Sequence, residues 1–426
     1  MNITTRIAST TGSTRRTRTV RIVGTAIATG ALIGGLTACS GSTSSGDAAS
    51  ADYTFWDPYP QYDDTSDWAK TIDACATEAG VTVKRTAYDT SDLTNKALLA
   101  GQQDNSPDIL LVDNPVVSTL ADAGILTTTA DNGLDIADIE ANILAAGQIG
   151  DDTFGVPIGA NTLALYYNPD VLAAAGVDIS TVTDWASLTT ALEQVAAAGK
   201  KGITFSGIGT EEGSFQFLPW FWGSGAELTE LDSPEAVSAV TLWSDWVSKG
   251  YAPNSVINNT QTTSWEEFLT GDFAFAENGT WQKASAAEAG YEVIPLPASD
   301  GGSAPAPTGG EFFTVPVQSD TKRYEASAKI ISCLTSTDNI VDTVNALNYI
   351  APTKAAQEAQ LAADPSLQPW IDAVSAAKGR TSDDLGTKYP RISEQLWTAV
   401  QNALTGSQSP EDALKAAQEA AAKATE

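Results

Sequence analysis

The chain has 426 residues, of which 53 are acidic and 23 basic, a net charge of −30 at neutral pH. That length exceeds what one core usually serves, so two domains are expected. The negative balance disfavours nucleic acid and strongly anionic ligands, which need basic groups to neutralise them, and leaves a neutral, hydroxyl-rich ligand open. Histidine is absent, which removes Ser-His-Asp and Cys-His catalysis and the commonest zinc sites. Carboxylate chemistry remains possible.

Residues 1–21 carry Arg6, Arg15, Arg16, Arg18 and Arg21 and no acid, and residues 22–36 (IVGTAIATGALIGGL) are apolar and small. A basic start, an apolar middle and small residues before a cut form an export signal. The apolar run is short for a membrane span. Leu36-Thr37-Ala38-Cys39 is similar to a bacterial lipoprotein box. The similarity implies cleavage before Cys39, a diacylglyceryl group on its sulfur, and a protein anchored at the extracellular face of the cell membrane. The alternative is a plain secreted protein in which Cys39 is incidental. Removing residues 1–38 takes away five arginines and no acid, so the net charge moves from −30 to −35. Residues 39–51 then read as a flexible tether reaching roughly 20 Å.

Tyr53–Asp57 reads as the first strand, followed by a helix over about 63–80. Within it, the Asp63–Asp67 acidic cluster reads as helix capping, because it lacks the glycine and distal glutamate of a calcium loop. A strand over 81–87, a helix over 91–103, a buried-type strand over 107–112 and a helix over 115–124 come next. Strands alternating with helices imply parallel βαβ units. Thr183 or Asp184 caps a helix to Ala198. A strand over 203–206 follows, then a helix from Pro234 to Lys249 that begins Ser-Pro-Glu. Trp243 and Trp246 within it read as packing. Strands are expected over 273–277, 291–294 and 311–317, and helices over 322–336 and 338–347. The remainder is helical, over 355–363, 367–377, 390–404 and 410–424. Cys75 and Cys333 both fall on apolar helical faces, and export permits a disulfide between them. Two buried thiols are the alternative.

Irregular breaks near 157–161, 300–310 and 348–353 interrupt this order. The first lies within Thr153–Pro169 (TFGVPIGANTLALYYNP). Locally that segment is a bent hairpin or one strand of a hinge, since proline and glycine both permit a kink. Three crossings would make two discontinuous α/β lobes with a ligand cleft between them.

Several segments, in order, carry a resemblance: PDILLVDNPVVSTLADAGIL, FGVPIGANTLALYYNPDVLAAAGV, VTDWASLTTALEQVAAAG, FLTGDFAFAENGTW, GGEFFTVPVQS, NYIAPTKAA and SPEDALKAAQEAA. The chain resembles the family 1 extracellular solute-binding proteins of ABC importers, the maltose-binding-protein-like group, over about residues 52–422. The resemblance implies a periplasmic-binding-protein-like fold with a three-crossing hinge. Its N-terminal lobe would be 52–158 plus 308–348, and its C-terminal lobe 159–307 plus 349–426. It also implies lobe closure on a neutral carbohydrate, an oligosaccharide by expectation. The partner would be an ABC permease, and the protein a monomer with no catalysis, cofactor or metal. Competing readings are a secreted carbohydrate-active enzyme with paired carboxylates, and a binder of another solute such as a peptide.

A sugar needs aromatic platforms and short polar side chains around its hydroxyls. Trp56, Asp57 and Tyr59 follow the first strand, and Asp113 and Asn114 the third. Asn161 sits in the hinge. Ser214, Phe215 and Gln216 are expected to begin a helix with free N–H donors. Trp281 aligns with a stacking tryptophan of the family, and Glu311 and Phe312 leave the second crossing. Arg391 and Trp397 belong to a late helix that lies near the cleft in relatives, with Arg380 just before it. Each tryptophan could equally be core, and Asp57 and Asp113 could merely cap helices.

Overall fold

The computed structural model describes residues 52–381 and 385–425. The expected export signal, Cys39 and the expected tether all lie outside the described residues. Among the described residues eleven strands occur in chain order: β1 (Asp52–Asp57), β2 (Thr82–Ala87), β3 (Ile109–Asp113), β4 (Gln148–Ile149), β5 (Asp152–Thr153), β6 (Val156–Pro157), β7 (Leu163–Tyr167), β8 (Lys201–Thr204), β9 (Phe273–Gly279), β10 (Glu292–Ile294) and β11 (Glu311–Thr314). They form a five-stranded sheet of order β2-β1-β3-β11-β6, a four-stranded sheet of order β10-β7-β9-β8, and the small β4-β5 hairpin.

In the first sheet β1 runs parallel to β2 and β3, while β11 is antiparallel to β3 and β6. The run Ile-Leu-Leu-Val of β3 explains its central place. Ile109 and Leu111 enter one apolar cluster with Phe55, Phe313 and Ile330. Leu110 and Val112 enter another with Leu93, Val117 and Phe312 on the opposite face. Helices therefore cover both faces, as the parallel strands at the centre of this mixed sheet require. Each of these four side chains contributes about 1.5–3 kcal/mol on full burial. Pro157 pairs with Phe312 on β6, the edge strand, where a missing N–H is tolerated. The strand thus includes this proline instead of stopping before it.

In the second sheet β7 is antiparallel to β9 and β10, and β8 is parallel to β9. Leu163, Leu165 and Tyr167 face the cluster that contains Trp220, Trp243 and Trp246. Ala164 and Tyr166 face Trp265 and Trp370.

Helix boundaries follow the side chains that satisfy them. The first helix starts at Asp67, later than the acidic run suggests. Asp63 instead closes a turn on the Thr65 N–H at 2.9 Å, and the Ser66 hydroxyl caps the helix at Ala69. Asp184 and Ser187 form a reciprocal capping box for helix Trp185–Ala197. Ser233 caps helix Pro234–Ser248. Cys75 and Cys333 are disulfide-bonded, tying helix Asp67–Glu78 to helix Arg323–Leu334 across 258 residues of sequence.

The chain passes between the two sheets three times, and the passages are laced together. Ala160 and Ile350 exchange both backbone hydrogen bonds at 2.8 Å. Asn161 and Gly309 do the same, at 3.1 and 2.8 Å. The segment after β6 is therefore the middle strand of a three-strand crossing. Gly309 permits this approach, since a Cβ there would fall 2.0 Å from the Asn161 amide oxygen. Gly310 adopts φ +115°, which a side chain would resist.

Candidate functional site

A cavity of about 270 Å³ opens beside these crossings. The end of β3 supplies Asp113, and the start of β11 supplies Glu311. The crossings supply Asn161, Gly309, Gly310 and Tyr349. From the second sheet's side come Thr210, Glu211, Glu212 and Phe215, with Trp281 after β9. Thr90, Gln261 and Arg380 complete the wall.

Arg380 is the hub. Its side chain is only 2% exposed. It donates to Asp113 Oδ1 at 2.8 Å, to Asn114 Oδ1 at 2.8 Å and to Glu211 Oε1 at 2.7 Å. Its guanidinium carbon lies 4.8 Å from the centroid of the Phe215 ring. Glu211 also accepts from the hydroxyls of Tyr389 and Ser393. Asp113 caps helix Asn114–Asp122 as well, accepting from the Asn114 N–H at 2.9 Å, so its capping and cavity-lining positions coexist.

Glu311 takes the Tyr59 hydroxyl at 2.7 Å and the Tyr349 hydroxyl at 3.4 Å. Burial, with the Asp113 charge nearby, pushes its carboxyl up to about 7. Burial also raises Glu212, which accepts the backbone N–H of Gln261. Trp281 packs against Phe215, with centroids 6.4 Å apart and planes tilted by 40°. Its ring lies over Gly279, where a Cβ would fall 2.0 Å from a ring carbon. Glycine at that position therefore lets the indole sit beside the strand end.

Of the residues singled out in sequence, Asp113, Asn161, Phe215, Trp281 and Glu311 line the cavity. Tyr59 and Asn114 stand behind it, holding Glu311 and Arg380. Asp57 is buried in a structural cluster, accepting from Arg85, from the Trp68 indole at 3.1 Å and from the Tyr59 N–H. Trp56 packs edge-on against Tyr88. Phe312 belongs to the core. Arg391 is exposed and donates to the Ala424 carbonyl, and half-buried Trp397 does not line the cavity.

The expected helix start at Ser214 is corrected. The helix begins at Glu211 after Thr210, so the Ser214 N–H is already bonded to the Thr210 carbonyl. Ser214 and Gln216 are buried within it, the first donating to the Ser393 carbonyl and the second accepting from Ser206. Two acids in the first turn, favoured by the helix dipole, mark the true start.

Residues 70–369 match the family described as bacterial extracellular solute-binding protein. The chain belongs to that family, and its members' extracellular location applies to it. A Deinococcus radiodurans protein named "Probable ABC transporter-binding protein" is 25% identical over 304 residues, 66% of this chain and 71% of that protein. Among solved structures, an ABC transporter solute-binding protein from Thermotoga lettingae bound with α-D-tagatose superposes with a TM-score of 0.77. It is 24% identical, with 88% of this chain and 100% of that chain covered. Maltose-bound MalE3 of T. maritima gives a TM-score of 0.77 at 21% identity, covering 87% and 99%. The fold is accordingly that of the maltose-binding, periplasmic-type solute-binding proteins.

Proposed function

We infer that this protein captures a carbohydrate outside the cell and delivers it to the permease of an ABC importer. The observation that carries this reading is the cavity beside the three crossings, walled by Trp281 and Phe215 and edged by Asp113, Asn161, Glu211 and Glu311. Aromatic faces suit the C–H faces of a sugar, and carboxylate and amide oxygens suit its hydroxyls. The sugars held by the two solved relatives support the same class. The protein acts by binding and not by catalysis.

The lobes proposed are 52–158 plus 308–348, around the first sheet, and 159–307 plus 349–426, around the second. The ligand touches both and favours their closed arrangement through contacts that only closure completes. Asp113, Asn161, Phe215, Trp281, Glu311 and Arg380 are the contacts proposed. Lipidation at Cys39 holds the protein, as a monomer, at the outer face of the membrane beside its permease. A thermal-shift panel of saccharides, peptides and polyamines tests the solute class, because a ligand of the folded state raises the unfolding temperature. Stabilisation by a saccharide left unhydrolysed is the expected result. Hydrolysis by pure protein, or a response to peptides alone, contradicts the reading.

A further inference from the structure

The cavity wall carries more negative charge than its own residues balance. Four carboxylates line it, from Asp113, Glu211, Glu212 and Glu311, against the one guanidinium of Arg380. Arg380 is shared between Asp113 and Glu211, so that group alone retains an excess negative charge. Glu212 and Glu311 have no ion-pair partner among the described residues. The first accepts a backbone N–H and the second two tyrosine hydroxyls. Unpaired carboxylates withdrawn from water are costly to keep ionised. The upward displacement of both groups expresses that cost.

We propose that the solute is a carbohydrate bearing a protonated nitrogen, an amino sugar or a small glycoside of one, held with its ammonium group facing Glu212 and Glu311. This rests on the carbohydrate-binding reading above and narrows it. An ammonium group supplies the missing positive charge, and its three donors match carboxylate acceptors. The aromatic wall accommodates a cation too, as the Arg380 guanidinium over Phe215 already shows. A bare metal ion fits less well, because among the described residues no three of His, Cys, Asp or Glu group closely enough to hold one. The cavity is at the small end for a ligand pocket, which suits one or two sugar rings. The chain's charge of −30 would also steer cations towards it.

Matched pairs test this by calorimetry on the mature protein. Glucosamine, galactosamine, mannosamine and the glucosamine β1,4-dimer are each compared with glucose, galactose, mannose and N,N′-diacetylchitobiose, with choline as a sugar-free cation. At least one amine should bind about tenfold or more tighter than its neutral partner. That preference should shrink as salt screens the charges. It should also shrink in the Glu212→Gln, Glu311→Gln double variant, while the wild-type comparison stands even if that variant folds poorly. Neutral sugars binding as tightly as their amines would overturn the inference and leave the carbohydrate reading intact. Choline binding with no saccharide binding, or no binding at all, would overturn both.

Discussion

Arg380 and Asp113 meet at 2.8 Å across the cavity, joining the segment before the late helix Tyr389–Leu404 to the end of β3 in the first sheet. The same guanidinium holds Glu211, at the start of a helix packed on the second sheet. It therefore fastens the two sides of the site together without a ligand.

Replacing Arg380 with Gln leaves Asp113 and Glu211 without their shared cation. Breaking a buried pair of this kind costs roughly 3–5 kcal/mol. Part of that loss should appear as opening, visible as a larger radius of gyration of the unliganded variant in small-angle scattering. Saturating saccharide should restore the wild-type radius, at an affinity lowered by the smaller closed fraction. A variant of unchanged radius and stability would show that Arg380 fastens nothing.

Glu311 makes stability depend on pH with a definite sign. Its folded value of about 7 lies above the ordinary 4.5, so between those values the folded state holds more protons than the unfolded. The folded state is therefore progressively destabilised as pH rises from about 4.5 to about 7, with little further change from this group above. Glu277 adds to the same trend. It is buried on β9 with one oxygen taking the Trp220 indole N–H at 2.7 Å, and burial raises its carboxyl well above the ordinary range. Urea unfolding at about pH 5 and about pH 8 should show a smaller difference for Glu311→Gln than for wild type. An unchanged difference would contradict the assignment.

The Cys75–Cys333 bond closes a loop of 258 residues that includes the whole second sheet. A native disulfide of this kind stabilises by roughly 2–5 kcal/mol, chiefly by restricting the unfolded chain. Reduction, or the Cys75→Ser, Cys333→Ser double variant, should lower the urea midpoint accordingly. Equal midpoints, or two free thiols by mass spectrometry of the unreduced protein, would contradict it.

Much of this was legible in sequence because local rules and packing agree. Ile109–Val112 reads as buried on both faces and is, and the three irregular breaks are the three laced crossings. The site was less legible where its residues depend on distant partners. Asp57 and Asp113 are both acids at strand ends, yet Arg85 on the neighbouring strand absorbs the first and Arg380, far along the chain, engages the second. Periodicity carries no information about such pairings. Arg380 itself sits in irregular chain between helices, where no pattern positions it. Tyr349 lies in a break that marked a crossing, and an aromatic residue at such a break was a usable signal. Glu211 and Glu212 were hidden by a helix start placed three residues late, although two adjacent acids are a common first-turn composition.

The most direct test of the account is a calorimetric titration of wild type and Trp281→Ala with the saccharide that most raises the unfolding temperature. Trp281 stands on the cavity wall against Phe215, partly exposed and outside the fully buried core, so its removal should leave the fold intact. The account predicts one site per chain in the wild type and an affinity lowered by roughly tenfold to a hundredfold in the variant, as for loss of a buried aromatic anchor. Equal affinities in the two proteins would place the ligand elsewhere and contradict it.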